Sequence, residues 1–125
     1  MKDLTILMDT KQGRPAQMLA GLVEQGVRIA GACLFPRLEG RVAHIAVEED
    51  DVATVRLIVA DHGGTVADER DCIVVPSGTP GGAVTIARKV AEAGLTAYIV
   101  YFGAEGEMIL GTNDVPATRA ALGLV

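Results

Sequence analysis

Asp50-Asp51-Val52-Ala53-Thr54-Val55-Arg56 returns later in the chain as Asn113-Asp114-Val115-Pro116-Ala117-Thr118-Arg119. A second pair accompanies it: Glu24-Gln25-Gly26-Val27 and Glu92-Ala93-Gly94-Leu95. Each pair keeps what its position needs. The first keeps a polar cap residue, a buried-type Val and an Arg further along. The second keeps a glycine where a helix stops and an aliphatic residue where the chain turns back. The matches fall at the same points of the same element order, so they mark an internal repeat.

Working outward from these anchors gives the element order. Leu4 to Asp9 reads as a strand with Leu4, Ile6 and Met8 on one face. Lys11-Gln12-Gly13-Arg14 breaks it, and Pro15 suits the first turn of a helix whose apolar positions are Met18, Leu19, Leu22 and Val23. Val27 to Phe35 and Arg41 to Glu48 read as strands joined by the hairpin Pro36-Arg37-Leu38-Glu39-Gly40. Asp50 or Asp51 caps a helix bearing Val52, Val55, Ile58 and Val59, ended by His62-Gly63-Gly64. Thr65 to Asp68 and Asp71 to Pro76 read as extended, together one long bent strand. The pattern then restarts. It runs through a strand at Cys72 to Val75, the loop Ser77 to Gly82, and a helix with Ile86, Ala87, Val90 and Ala91 inward. Strands at Leu95–Phe102 and Glu107–Gly111 follow, then a last helix capped by Asn113 or Asp114 and carrying Val115, Thr118 and Leu122.

The expected fold is therefore α+β. It consists of two ferredoxin-like βαββαβ modules with antiparallel sheets, residues 1–69 and 70–125, the second lacking its last strand. That lack leaves a sheet edge to be filled.

Composition narrows the function. The chain has 125 residues, half of them hydrophobic and 22% charged, with net charge −5, 15 Gly, two Tyr, two Phe and no Trp. A chain so apolar is not disordered. Its acidity and its few aromatics speak against nucleic acid, which needs a basic footprint and stacking platforms. No 18-residue stretch is free of charge, so no spanning helix and no membrane partner are expected. The N-terminus shows no signal peptide, and Cys33 and Cys72 stand far apart with no CxxC, which fits reduced thiols in the cytoplasm.

The chain resembles a tandem ACT-domain protein, most of all the small stand-alone kind. The residues that carry the resemblance are Thr10-Lys11-Gln12-Gly13-Arg14-Pro15 and Val75-Pro76-Ser77-Gly78-Thr79-Pro80-Gly81-Gly82, each at the turn between a module's first strand and first helix. The two helix-Gly-strand junctions support it. It departs from the family at Ala16, where Gly commonly follows the Pro, at the late start of the second helix, and at the missing strand. The resemblance implies a regulatory protein, not an enzyme. It implies an amino-acid effector bound where modules or subunits meet, a homodimer, and a regulated enzyme partner.

The implied ligand residues are Lys11, Gln12, Gly13, Arg14 and Pro15 in the first turn, and Gly78, Thr79, Pro80, Gly81 and Gly82 in the second. A helix N-terminus offers free N–H groups and partial positive charge to a carboxylate, and glycine lets the ligand approach the backbone. Neither turn has the Gly-Lys-Ser/Thr ending of a phosphate loop, so no nucleotide cofactor is expected. His44 and His62 have no Cys or paired carboxylate at metal-ligand spacing, so no metal is expected. Glu48-Glu49-Asp50-Asp51 reads as a solvated helix start, and no nucleophile stands beside an evident base. Tyr98, Val100 and Phe102 share one strand face, Ile99 and Tyr101 the other. Two alternatives remain: a structural subunit that pairs through an exposed sheet edge, and a small ferredoxin-like enzyme such as an acyl-phosphate hydrolase. The second would need an Arg and an Asn together, and the one Asn, Asn113, is far from Arg14 in sequence.

Overall fold

The computed structural model describes residues 1–9, 15–76, 78 and 81–124. The chain divides into two compact units, Met1–Arg70 and Asp71–Val125. The first contains β1 (Lys2–Met8), α1 (Pro15–Glu24), β2 (Gly31–Pro36), β3 (Arg41–Val47), α2 (Val52–Asp61) and β4 (Gly64–Asp71). The second contains β5 (Ile73–Val75), α3 (Gly82–Glu92), β6 (Ala97–Phe102), β7 (Met108–Thr112) and α4 (Val115–Ala121). The fold is α+β with antiparallel sheets in the ferredoxin-like order, and the second unit has three strands among the described residues.

In the first unit the strand order is β2-β3-β1-β4. Register is set by alternation: Leu4 lies opposite Ile45 and Ile6 opposite Ala43, so one sheet face is apolar between Lys2 and Arg41 at its ends. Met18 and Leu22 of α1 and Val55 and Val59 of α2 bury against it. Each of these fully buried side chains contributes roughly 1.5–3 kcal/mol of transfer free energy. In the second unit the order is β5-β7-β6, and Ile73, Val75, Met108 and Leu110 meet Ile86 and Val90 of α3.

The repeated Glu-x-Gly-aliphatic junctions become two matching helix stops. Val27 N–H donates to the Leu22 carbonyl (3.0 Å) and Gly26 N–H to that of Val23 (3.0 Å). Leu95 and Gly94 do the same to Val90 (3.1 Å) and Ala91 (3.0 Å). These are Schellman closures, which satisfy the last carbonyls of a helix.

They also correct the strand limits. Val27 is buried as the closing residue of α1, so β2 begins only at Gly31. Thr65–Asp68 and Asp71–Pro76 are not one strand: β4 and β5 lie in different sheets, separated at Cys72. Neither Asp50 nor Asp51 caps α2. They sit in a 3-10 turn, Glu49–Asp51, and Asp51 makes no side-chain bond to the helix start. Two faces expected to be inward are not: Val23 is 64% exposed, and Ala87 and Ala91 are open to solvent.

Candidate functional site

The turn that opens α3 is the best-described of the implied sites. Gly78, Gly81 and Gly82 belong to it, and Ser77, Thr79 and Pro80 lie outside the described residues. Gly81 precedes the helix at φ 81°, and a Cβ there would collide with the Thr85 side chain. Among the described residues no side chain caps α3, and its first turn holds no acidic residue. The contrast with α4 is direct: Asp114 Oδ1 accepts from Ala117 N–H at 3.0 Å. Among the described residues the start of α3 therefore lacks a carboxylate like the one α4 carries. Asn113, the other expected cap, accepts from Thr96 N–H at 2.9 Å and ties the start of β6 instead.

Beside this turn is a hollow of about 50 Å³ lined by Val75, Gly78, Gly82 and Ala83, with Phe102 and Gly106 from the β6–β7 hairpin. It has room for a carboxylate-sized group, since a water takes about 30 Å³.

The first unit has a concavity at the equivalent place, the end of its first strand beside its hairpin. This cleft is far larger, about 620 Å³, within the usual range for small-molecule sites. Leu7, Met8 and Asp9 of the strand end, Arg37, Glu39 and Gly40 of the hairpin, and Thr65 of β4 line it. Gly40, at φ 91°, lets the hairpin lie close against the strand end, because a Cβ would collide with the Met8 carbonyl. Arg37 Nε donates to the Glu39 carbonyl at 2.7 Å, which holds the guanidinium on the hairpin. Among the described residues, the lining thus offers the Arg37 cation and the Asp9 and Glu39 carboxylates. Lys11, Gln12, Gly13 and Arg14 lie outside the described residues, and Pro15 begins α1, half-buried. Asp9, Arg37, Glu39 and Thr65 were not among the residues the sequence pointed to. The one signal for them was a polar hairpin at the same end of the module as the turn.

A separate polar cluster sits on the other face of the first sheet. Asp3 is fully buried there, and His44 Nδ1 lies 3.0 Å from its Oδ2 and 3.5 Å from Thr5 Oγ1. Cys33 is directly opposite His44 in the β2–β3 ladder. The sequence reading gave His44 neither a cysteine nor a carboxylate neighbour, and strand pairing supplies both. The hydrogen bond to Asp3 raises the His44 pKa above its ordinary value. Burial pushes the Cys33 thiol up, which disfavours the thiolate a nucleophile needs. Among the described residues no cluster of three or more His, Cys, Asp or Glu is arranged to hold a metal. His62 is half-buried at the end of α2, where Nδ1–H donates to the Ile58 carbonyl at 2.8 Å.

No protein-family model and no curated protein sequence matches the chain. Solved structures do. A Bacteroides thetaiotaomicron protein superposes with a TM-score of 0.74 at 16% identity, over 98% of this chain and 85% of that one. The ligand-free regulatory subunit of aspartate kinase from Thermus thermophilus gives 0.69 at 17% identity, over 98% and 88%. The fold is ACT-like. Aspartate kinase from Clostridium acetobutylicum, described as an allosteric enzyme, gives 0.59 at 13% identity, with 98% of this chain covering 32% of that one. No helix among the described residues is long and apolar enough to cross a membrane.

Proposed function

We propose that this chain is a non-catalytic regulatory sensor made of two ACT modules. It binds a free amino acid and modulates an enzyme of amino-acid metabolism. The observation that carries the reading is the superposition, over 98% of the chain, on the regulatory subunit of an amino-acid-phosphorylating enzyme, aspartate kinase. The cleft of the first unit supports it chemically. A zwitterion needs a cation for its carboxylate and an anion for its ammonium, and Arg37, Asp9 and Glu39 line one cleft. The start of α3 is the second candidate position, with Gly78, Gly81 and Gly82 admitting a carboxylate to the backbone. Lys11, Gln12, Gly13, Arg14, Thr79 and Pro80 complete the two turns in this reading. The protein works in the cytoplasm as a homodimer beside its enzyme partner, with no cofactor and no metal.

Regulation then follows from differential affinity. The amino acid shifts the protein toward whichever packing arrangement binds it more tightly, by a coupling of about 1–3 kcal/mol. Titration calorimetry with the twenty amino acids tests the reading. One or a few are expected to bind saturably, and Arg37→Ala is expected to weaken that binding at least about tenfold through loss of a charge-assisted contact. Absence of heat from all twenty would refute it.

A further inference from the structure

Counted from the matched helix stops, Ala87 and Ala91 of α3 stand where α1 has Leu19 and Val23, and Arg88 stands where α1 has Ala20. The second unit is therefore smaller at both apolar positions and carries a cation between them. The lost volume shows as space. An apolar groove of about 220 Å³ runs between α3 and β6, the edge strand of its sheet. Ile86, Val90, Met108 and Leu110 are its buried floor. Ala87 and Ala91 on the helix side and Ala97 and Val100 on the strand side are open. In the first unit Leu19 packs against the core instead.

Every described side chain that lines the groove is apolar, so it offers water no partners and suits hydrocarbon. A dry cavity of about 150 Å³ holds the six carbons of benzene. On that scale 220 Å³ takes about eight carbons. Arg88 borders the groove, because it lies three positions before Ala91 and helix positions three apart are neighbours. It is exposed, and among the described residues neither Arg88 nor Glu92, one turn on, makes an ion pair. An apolar trough with a cation on its rim matches an apolar chain that ends in an anion.

We propose that the groove between α3 and β6 binds the tail of an aliphatic carboxylate of about eight carbons, with Arg88 taking the carboxylate at the rim. The ligand class and the place both differ from the amino acid in the cleft of the first unit. Octanoate titrations contain no amino acid, so their failure leaves the amino-acid reading untouched.

Titration calorimetry on the full chain tests it with butanoate, hexanoate, octanoate, decanoate and dodecanoate below their micelle-forming concentrations. Saturable binding is expected, tightening about two- to threefold for each added methylene up to about eight carbons and levelling off beyond, where the tail outgrows the groove. Ala87→Leu restores the residue that the first unit carries and is expected to weaken octanoate at least about tenfold. It should melt no lower than the wild type, since the position is exposed and Leu is nearly as good a helix former as Ala. Ala91→Val, the other restoration, should weaken octanoate in the same direction. Arg88→Gln is expected to weaken octanoate about three- to fivefold and to leave 1-octanol unchanged. 2-Aminooctanoate, the same tail with an ammonium added, is expected to bind no tighter than octanoate.

Absence of saturable binding at every chain length would overturn the proposal. Affinity that keeps rising through dodecanoate would do the same, because it would mark adsorption to the surface. So would octanoate binding that both alanine replacements leave unchanged. Equal losses of octanoate and 1-octanol in Arg88→Gln would overturn the role of Arg88, and tighter binding of 2-aminooctanoate would overturn the ligand class.

Discussion

Gly81→Ala tests the geometry of the α3 turn most directly. At φ 81° an alanine costs about 1–2 kcal/mol, because its Cβ crowds the following carbonyl. The new Cβ also runs into Thr85, whose own Cβ would be 2.6 Å away. Overpacking of that kind adds about 1–3 kcal/mol. The sum, about 2–5 kcal/mol, is a large share of the stability of a unit this small, which is on the order of 5 kcal/mol. Gly78→Ala is the matched control. It has the same φ of 81° but no described atom within 4 Å of the new Cβ, so only the backbone cost applies. Urea unfolding followed by tyrosine fluorescence reads this unit alone, since both tyrosines, Tyr98 and Tyr101, lie in β6 and there is no Trp. With a slope near 1 kcal/mol/M, the midpoint should fall by about 1 M for Gly78→Ala and by about 2 M or more for Gly81→Ala. Equal losses would refute the reasoning, because the Thr85 contact would then contribute nothing.

Three further outcomes are expected. Asp114→Ala should destabilise the protein by about 1 kcal/mol in urea, because it removes the acceptor for Ala117 N–H; Asp51→Ala, which removes no cap, should stay within about 0.5 kcal/mol. Leu22→Ala should cost about 3 kcal/mol by opening a cavity in the first unit, whereas Val23→Ala, at a side chain 64% exposed, should cost far less. The Asp3–His44 pair should make stability pH-dependent. The folded-state His44 pKa is raised above 6.5, so the stabilisation is fully present below pH 6.5 and is lost as pH rises through the folded-state value. The deficit of His44→Gln relative to wild type should therefore be larger in mild acid than in mild alkali, and a pH-independent deficit would show that the pair's charge is irrelevant.

The element order was legible because it rests on local signals. Period-2 alternation at Leu4, Ile6 and Met8, helical spacing at Val52, Val55 and Val59, and glycine after each helix need no knowledge of partners. Local signals failed where a residue had two uses. Val27 extends a strand pattern in sequence, but the Schellman closure at Gly26 claims it for α1. Asp51 is a good cap type, yet a 3-10 turn takes up the acidic run before it can cap. Ala87 and Ala91 continue the apolar stripe of α3, but they stand over an apolar groove beside β6 and stay open there. The candidate site was half legible: the turns were marked by glycine and proline, while Arg37, Glu39 and Thr65 join Asp9 only through strand pairing that sets the hairpin beside the end of β1.

By itself, then, the sequence determined the α+β class, the duplicated order of elements and the places where helices stop. These follow from backbone preferences and from the period of apolar residues, both encoded within a few positions. Tertiary structure alone decided the cleft beside β1, the Asp3–His44 pair with Cys33 opposite, and the bare edge of β6. Each depends on which strands become neighbours, and on which edge is left without one. Strand pairing joins residues some forty positions apart, as in Asp3 and His44. No window of local sequence carries that information, because it is the balance of burial across a whole sheet that selects the register.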